Sequence, residues 1–246
     1  MERKDFLKNS LGFLGTALIL PKIISSCTSD DSMNYDSSTT TSGGTNQSCT
    51  VWPTETEGPF PTKTPSSYLR TDIVGDRTGI ATTIEIVVQN SNNNCVAVEG
   101  IIVDIWHCDK DGNYSQYGGT QMQPTNYQSY NFLRGRQVTD ANGKVKFATI
   151  FPGWYTGRAT HIHVHIYNTN GNSVKVTQIS FPEGTNSAVV TVNAATSSGY
   201  TKGMSGYTYN ASDNVFSDDK SNLQVATVSG SVSGGYTISS NIKVSI

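Results

Sequence analysis

Residues 160–167 read Thr-His-Ile-His-Val-His-Ile-Tyr, and this short stretch carries three of the four histidines in the chain. His161, His163 and His165 alternate with aliphatic residues. Successive side chains of a β-strand point to opposite faces, so the alternation predicts a strand with apolar side chains on one face and imidazoles on the other. The apolar face would pack into a core and the imidazole face would be offered to a ligand.

Strand patterns recur along the chain, and no long stretch carries the helical period. Segments rich in β-branched and aromatic residues lie between clusters of Gly, Asn and Asp that predict turns. We predict strands over residues 82–88, 99–106, 144–150, 160–167, 174–181, 188–192, 223–228 and 236–244. Short, regularly spaced strands are typical of a β-sandwich. The predicted fold class is therefore all-β, a sandwich of mostly antiparallel strands.

Composition and charge limit the classes of partner. Charged residues make up 15% of the 246 residues, and the formal net charge is −2. This balance indicates neither a nucleic-acid partner nor strong attraction to a charged membrane surface.

Residues 49–246 are numerous enough for one well-buried core and show no second boundary, so we predict a single domain there.

Residues 1–26 predict an export signal of the lipoprotein type. They combine a positively charged start, an apolar core over residues 11–20 that is too short for a permanent span, and an Ile-Ser-Ser-Cys sequence that ends at Cys27. Cleavage before Cys27 would leave a lipid on that residue. An ordinary cleavage site, which would release a soluble secreted protein, is the alternative. The Arg3-Lys4 pair also resembles a twin-arginine signal whose second arginine is replaced.

Residues 27–48 predict a disordered, solvated tether. They are rich in Ser, Thr, Asp, Asn and Gly and contain almost no apolar side chains. We therefore expect an exported domain on the periplasmic or cell-surface side of a bacterial membrane, with the lipid on Cys27 as its one membrane contact.

His161 and His163 are the first candidates for metal binding. Their side chains begin about 7 Å apart along a strand, so tilted rings can converge on one cation. Arg158 lies three residues before His161, in a Pro- and Gly-rich approach that predicts a turn. Because a cation repels a positive charge, an arginine at this place is better explained if it faces an anionic ligand of that cation.

Five motifs follow one another along the chain. A Thr-Glu-Gly-Pro-Phe motif occupies residues 56–60, and an Ile-Trp pair at 105–106 is followed eight residues later by a tyrosine. A second tyrosine, an Arg-x-x-His-x-His motif and a glutamine fifteen residues beyond it come next. The residues concerned are Tyr114, Tyr155, Arg158, His161, His163 and Gln178. In these motifs and their order, the chain from about Cys49 onward resembles the intradiol ring-cleavage dioxygenases, which are non-haem ferric enzymes.

The resemblance implies an Fe(III) site with Tyr114, Tyr155, His161 and His163 as ligands. The tyrosines would lie on loops at the edge of the sandwich, and the histidines on an adjoining strand. A phenol has an unperturbed pKa of about 10, so a tyrosinate at neutral pH needs a strongly polarising cation, and Fe(III) is hard enough to hold phenolate oxygen. A structural zinc site would more often use cysteine.

The resemblance also implies a reaction. A catechol-type substrate would chelate the iron and displace Tyr155, which would accept a proton, and O2 would open the ring between the two hydroxyls to give a muconate-type dicarboxylate. Arg158 and Gln178 would stabilise charge that develops on the substrate. Five residues separate Tyr155 from His161. This spacing is shorter than in the larger members of the family and resembles a subgroup of small exported proteins.

The cysteines allow one disulfide in an oxidising compartment. With Cys27 lipidated, Cys49, Cys95 and Cys108 leave one pair and one free thiol. Cys95 and Cys108 bracket a predicted strand and should lie further apart than a disulfide permits. We favour a Cys49–Cys108 pair, which would hold residues 56–60 where the resemblance implies the mouth of the active site.

Two other classes of function stay open. A Ser/Thr/Asn-rich sandwich on a tether is also what a surface carbohydrate- or ligand-binding module looks like. A cupin-like sandwich could instead bind Fe(II), Mn or Cu through His161 and His163 together with His165 or His107. In the ferric interpretation, we expect His165 beside the site or facing solvent, and we assign no catalytic role to His107.

Overall fold

The computed structural model of the protein describes residues 49–246. The predicted signal (1–26), the tether (27–48) and Cys27 lie outside the described residues. Within residues 49–246, β-strands form two sheets and helices are few and short, which confirms the predicted all-β sandwich. No helix in this range is long and apolar enough to cross a membrane.

The described strands are β1 Ala81–Asn90, β2 Val96–Ala97, β3 Ile102–Trp106, β4 Arg134–Val138, β5 Lys144–Ile150, β6 His161–Tyr167, β7 Ser173–Ser180, β8 Thr227–Ser231 and β9 Gly235–Val244. The described helical elements are α1 Ala188–Asn193 and 3₁₀ turns at Pro65–Tyr68, Ser91–Asn93, Thr196–Ser198 and Asn210–Ser212. In the first sheet, β1 pairs in parallel with β9 and antiparallel with β5 and β2, while β8 pairs with β9. The second sheet has the order β4-β3-β6-β7, and all its pairs are antiparallel.

The core lies between the two sheets. Side chains of β1 alternate between buried and partly exposed positions, and Ile84 and Ile86 of this strand are fully buried. They belong to one hydrophobic cluster with Ile162 and Val164 of β6 and Ile238 of β9. Full burial of each such side chain contributes about 1.5–3 kcal/mol. The alternation along the strands therefore determines which face of each sheet packs inward.

Strand β6 is buried on both faces. Its first six residues are all buried, although the strand alternates aliphatic and histidine side chains. Ile162, Val164 and Ile166 join the core between the sheets. The three histidines therefore project from the opposite face, as their alternation predicts, and loops must cover that face.

The strand predicted over residues 188–192 is wrong, because these residues form helix α1. Their valines favour a strand, but the hydroxyl of Ser187 accepts a hydrogen bond from the backbone N–H of Val190 at 3.3 Å and caps the helix. Strand β4 was not predicted, since its Arg-Gly-Arg-Gln-Val sequence lacks the apolar alternation that marks the other strands.

Two predicted strand boundaries are also wrong. The strand predicted from residue 223 begins at Thr227, because the carboxylate of Asp219 accepts hydrogen bonds from the backbone N–H groups of Leu223 and Gln224 and holds them in a turn. The strand predicted from residue 99 begins at Ile102, after a turn in which Gly100 has a φ of 77°. Hydrophobic periodicity cannot predict a turn that depends on one side chain or on one backbone angle.

The disulfide joins Cys49 to Cys95, with Cα atoms 5.7 Å apart, so the predicted Cys49–Cys108 pairing is wrong. Cys95 lies in the turn between β1 and β2, where the N-terminal segment passes. Cys108 is a buried free thiol in a separate cluster that includes Trp106 and Tyr114. The disulfide therefore joins the N-terminal segment to the turn after β1, and Cys108 remains a free thiol close to Trp106 and Tyr114.

We expect loss of this disulfide to destabilise the fold without changing its topology. The bond joins residues 46 positions apart, and a loop of that size predicts a loss of about 2–4 kcal/mol of unfolding free energy in a Cys95→Ser variant. Urea denaturation measures the difference, and Cys108→Ser serves as the matched control that leaves the bond intact. A non-reducing peptide map that links Cys49 to Cys108 instead would contradict the pairing.

Candidate metal centre

The floor of the candidate site is the face of the second sheet that points away from the core. The register of the sheet aligns one side chain from each of its four strands in a single row: Arg134, Trp106, His163 and Gln178. His161, at the start of β6, pairs with Ser180 and lies on the same face. The sheet thus brings both candidate histidines and the candidate glutamine together.

Three donor atoms converge above this row. The Tyr114 hydroxyl lies 3.1 Å from Nε2 of His161, and the same nitrogen lies 3.1 Å from Nε2 of His163. These side chains are buried, with residue exposures of 0%, 1% and 1% respectively. Atoms bound to one metal at about 2.1 Å and at right angles to each other lie about 3 Å apart. The spacing of the three donors therefore fits a single cation.

Hydrogen bonding alone does not satisfy these atoms. Nδ1 of His161 lies 2.6 Å from the carbonyl oxygen of Ala159, so we assign the ring proton to Nδ1, which leaves Nε2 with one lone pair. That lone pair cannot accept well-aligned hydrogen bonds from both Tyr114 and His163. Within residues 49–246, moreover, the buried Nδ1 of His163 has no hydrogen-bond partner. A cation that receives a lone pair from each of the three donors resolves the conflict at Nε2.

Burial sets the protonation of the candidate ligands. Burial, aided by the charge of Arg158, lowers the pKa of His161 to about 3. Burial and the neighbouring His161 likewise hold the pKa of His163 well below its usual value, so both imidazoles are neutral at pH 7. Burial raises the pKa of Tyr114 well above its usual value, and it also raises the pKa of Tyr155 against the opposing effect of Arg158. The phenols therefore stay protonated unless a strongly polarising cation takes the place of the proton on each oxygen.

Tyr155 is the fourth candidate ligand, and it lies on the more exposed side of the other three. Its ring centroid lies 5.8 Å from that of Tyr114 and 5.6 Å from that of His161. Of the four candidate ligands, it is the one that is partly exposed. It belongs to the loop between β5 and β6, and Tyr114 to the segment between β3 and β4, so both tyrosines lie on loops, as predicted.

The Arg158 guanidinium is fixed by a buried network. Its Nε donates to Oδ2 of Asp213 at 2.9 Å and its Nη2 to Oε1 of Gln178 at 2.7 Å, while Nη1 reaches the Tyr155 hydroxyl at 3.5 Å. The same Asp213 oxygen accepts from the backbone N–H of Ala159 at 2.7 Å. Arg158 therefore contacts both a carboxylate and the candidate ligand Tyr155, and the network links Gln178 to the same group.

Arg134 holds two loops over the histidine face. It is completely buried, and its guanidinium donates to the carbonyl oxygens of Phe60 at 3.0 Å and Ser115 at 2.6 Å. Phe60 in turn stacks on the Tyr114 ring with centroids 4.7 Å apart. A buried charge is tolerated when its donors are paired in this way. Arg134 thus positions Tyr114 through the loops on either side of that tyrosine.

Close packing fixes the His163 ring. Trp106 stacks parallel to it at a centroid distance of 4.9 Å. On the chain that crosses the site, a Cβ added to Gly58 would lie 3.0 Å from Cε1 of His163, and Gly58 also has a φ of 71°. The Gly of the Thr-Glu-Gly-Pro-Phe motif is therefore required both by its backbone angle and by its approach to the imidazole.

His165 and His107 are engaged away from this point. His165 bonds Ser173 through Nε2 at 2.8 Å and pairs through Nδ1 with Glu57 at 2.8 Å, so it is buried beside the site and does not face solvent. His107 uses its two ring nitrogens on Thr149 and on a backbone carbonyl, each at 2.8 Å. Among residues 49–246 no group of three or more His, Cys, Asp or Glu side chains could hold a metal. The three-histidine, cupin-like site has no geometric support.

The most important residue that the sequence analysis missed is Asp213. It lies in the segment between α1 and β8, which has weak strand signals, and its ion-pair partner, Arg158, is 55 positions away. No local motif marks it. Arg134 was missed because its strand was missed. The role of Trp106 could have been inferred, because pairing of the two predicted strands in antiparallel register puts a tryptophan beside a histidine.

Comparisons with known proteins place this chain among dioxygenases. A family model described as "Dioxygenase" matches residues 56–202, a range that contains all six predicted site residues. The chain is 27% identical over 132 residues to chlorocatechol 1,2-dioxygenase of Rhodococcus opacus, which is 46% of each protein. It is 33% identical over 93 residues to the protocatechuate 3,4-dioxygenase beta chain of Burkholderia cepacia, which is 35% of this chain and 38% of that one. The matches thus span less than half of either relative.

A solved structure extends the similarity over most of the fold. The intradiol ring-cleavage dioxygenase from Tetranychus urticae superposes with a TM-score of 0.69 at 30% identity, covering 80% of this chain and 95% of that one. The similarity therefore covers nearly the whole of that protein.

Removal of the Asp213 carboxylate should destabilise the domain strongly. An Asp213→Ala substitution leaves Arg158 buried without its anion, which costs about 3–5 kcal/mol of unfolding free energy. The matched control is Asp76→Ala, whose ion pair with Arg77 is half exposed on the carboxylate side and should contribute less than about 1 kcal/mol. Equal losses in the two variants, measured by urea denaturation at pH 7, would contradict the network.

The difference between wild type and Asp213→Ala should depend on pH. Burial raises the pKa of Asp213, but its bonds to Arg158 and to the Ala159 amide outweigh burial and leave the pKa below its usual value. The stabilisation is therefore complete above the pKa of the unfolded chain, about 4, and is lost as the pH falls through the folded pKa.

Proposed function

Because this chain belongs to the intradiol ring-cleavage dioxygenase family, we propose that it cleaves catechol-type rings between their two hydroxyls, using O2 and a ferric ion. The products would be muconate-type dicarboxylates. The observation that supports this most strongly is the convergence of the Tyr114, His161 and His163 donors in a buried site with Tyr155 beside them.

Ferric iron fits the donor set. Tyr114, Tyr155, His161 and His163 would hold it, because phenolate oxygen favours a hard cation of high charge, and such a cation would take the place of the phenol protons, which would leave to solvent. The imidazoles are already in the neutral form that binds metals. When bound, the ferric ion would act as a Lewis acid toward the catechol oxygens and draw electron density from the ring.

The tyrosines have different roles in this proposal. Tyr114 is enclosed by the stacked Phe60 ring and stays in place. Tyr155 is partly exposed, so of the four residues it is the one that a catechol arriving from solvent would reach first. Its phenolate oxygen would accept one of the two catechol protons, and hydroxide from solvent would take the other. Arg158, whose Nη1 lies 3.5 Å from that oxygen, would favour the anionic form of Tyr155.

Arg158 supplies a permanent positive charge at the substrate position. Burial opposes that charge, but the bonds to Asp213 and the neighbouring Tyr155 keep the pKa of Arg158 above its usual value. Asp213 and Gln178 fix the plane of the guanidinium, and Gln178 is itself held by the carbonyl oxygen of Thr56 at 2.9 Å. A fixed cation beside the ring stabilises negative charge that develops there, without reorganisation during the reaction.

Oxygen uptake with product analysis tests this function. The full-length protein loaded with ferric iron should consume O2 when catechol is added and form an equal amount of ring-opened dicarboxylate, with both oxygen atoms from O2. Tyr155→Phe and His161→Ala should each lower the rate by about 100-fold or more, since even groups that only support a metal ligand contribute 10–100-fold. Tyr209→Phe, at an exposed tyrosine, is the matched control.

Two results would contradict the proposal. Saturable binding of catechol without O2 consumption would favour the ligand-binding module. A ring-opened aldehyde product, formed by cleavage outside the two hydroxyls, would show a different regiochemistry. Either result is informative only if the metal content of the wild-type protein is measured in the same sample.

A further inference from the structure

The backbone N–H of Thr160, the residue before His161, is bound by the side chain of Tyr207. It donates to the Tyr207 hydroxyl at 3.0 Å. Thr160 is fully buried and Tyr207 is 8% exposed, so the bond is shielded from water. The two residues lie 47 positions apart, and Tyr207 lies beyond residues 56–202, the range that matches the family model. The family match therefore does not extend to this side chain.

This bond acts on the backbone that orients the His161 ring. Nδ1 of His161 lies 2.6 Å from the carbonyl oxygen of Ala159. That carbonyl and the N–H of Thr160 belong to the same planar peptide group. Tyr207 therefore holds one side of the peptide group whose other side holds the imidazole, and a fixed carbonyl keeps the ring proton on Nδ1 and the lone pair on Nε2.

A carboxylate supports the Tyr207 hydroxyl. The hydroxyl donates to Oε1 of Glu183 at 3.1 Å, which leaves its lone pairs free for the N–H of Thr160. Glu183 is partly buried and also accepts from the backbone N–H of Asn210 at 2.9 Å. The bonds from Thr160 to Tyr207 and from Tyr207 to Glu183 run in one direction, and consecutive hydrogen bonds of this kind strengthen each other.

Tyr207 also contacts the segment that carries Tyr155. Its ring packs edge-on against Trp154, with centroids 5.6 Å apart and an interplanar angle of 85°. Trp154 is buried, and its Nε1 donates to the carbonyl oxygen of Gly203 at 3.0 Å. One side chain therefore contacts the neighbours in sequence of two candidate ligands, Tyr155 and His161.

We propose that Tyr207, supported by Glu183, is a positioning residue for the candidate metal centre. It orients the His161 imidazole through the peptide group between residues 159 and 160, and it restrains Tyr155 through the neighbouring tryptophan. This role rests on the proposed function, because it concerns two of the four ligands of the proposed ferric site. Loss of the Tyr207 hydroxyl should therefore weaken iron binding while the domain stays folded.

Competition with citrate for ferric iron tests this role in the full-length protein. Tyr207→Phe removes the hydroxyl and keeps the ring. It should bind ferric iron about tenfold more weakly than wild type, since loss of a group that orients a metal ligand costs 10–100-fold. The matched control is Tyr200→Phe, which removes a buried hydroxyl that donates to the carbonyl oxygen of Phe151 at 2.7 Å, beside strand β5. Its iron affinity should equal that of wild type.

Hydrogen exchange in the metal-free protein tests the contact without iron. The Thr160 amide should exchange at least about tenfold faster in Tyr207→Phe than in wild type, because it loses its acceptor. In Tyr200→Phe the same amide should exchange at the wild-type rate, once the rate is corrected for the unfolding free energy of the variant. Thermal unfolding shows that each variant is folded.

Glu183→Gln tests the support of the hydroxyl. The variant keeps an acceptor oxygen but loses the charge, and it should weaken iron binding by about threefold, since charge-assisted hydrogen bonds are roughly twice as strong as neutral ones. In the Tyr207→Phe background the same substitution should have no further effect. Full additivity of the two substitutions would overturn the part assigned to Glu183.

Two results separate this role from the proposed function. Equal iron affinities of Tyr207→Phe and Tyr200→Phe would overturn the positioning role and leave the ferric site unaffected. A wild-type protein that binds no ferric iron would contradict the proposed function, and the positioning role would fall with it.

Discussion

Strand β6 must be shielded from water on both faces, and the rest of the structure depends on this constraint. Its aliphatic side chains complete the core between the sheets, while its histidines form the floor of the candidate metal centre. A shift of register by one residue would put imidazoles in the core and aliphatic side chains in the site. The pairing of β6 with β3 and β7 therefore fixes the fold and the chemistry together.

Covering the polar face of β6 requires loops that are themselves anchored by buried charges. Arg134 ties the segments around Phe60 and Ser115 to the sheet, and Asp213 ties the segment between α1 and β8 to Arg158. Each of these groups would be costly to bury alone and is stabilised by several hydrogen bonds. The same anchors hold the candidate ligands in place, so the stability of the loops and the geometry of the site are linked.

The sequence alone predicted the parts that rest on local patterns. The alternation in β6 predicted the strand, its two faces and the convergence of His161 and His163, and the order of motifs predicted where Tyr114 and Tyr155 lie. It could not predict Asp213, because an ion pair between residues 55 positions apart leaves no local pattern. The Cys49–Cys95 bond was missed because it depends on a turn that brings Cys95 close to Cys49. Helix α1 was missed because a single N-cap hydrogen bond favours the helix over the strand that its valines predict.

The central claim is that two tyrosines and two histidines hold ferric iron, and the visible absorption spectrum of the iron-loaded full-length protein tests it most directly. Under argon we expect a red-brown protein with a broad tyrosinate-to-iron charge-transfer band that moves to longer wavelength when catechol is added. Tyr155→Phe should weaken and shift the band, whereas Tyr209→Phe should leave it unchanged. A colourless wild-type protein that binds iron no better than Tyr155→Phe would contradict the account.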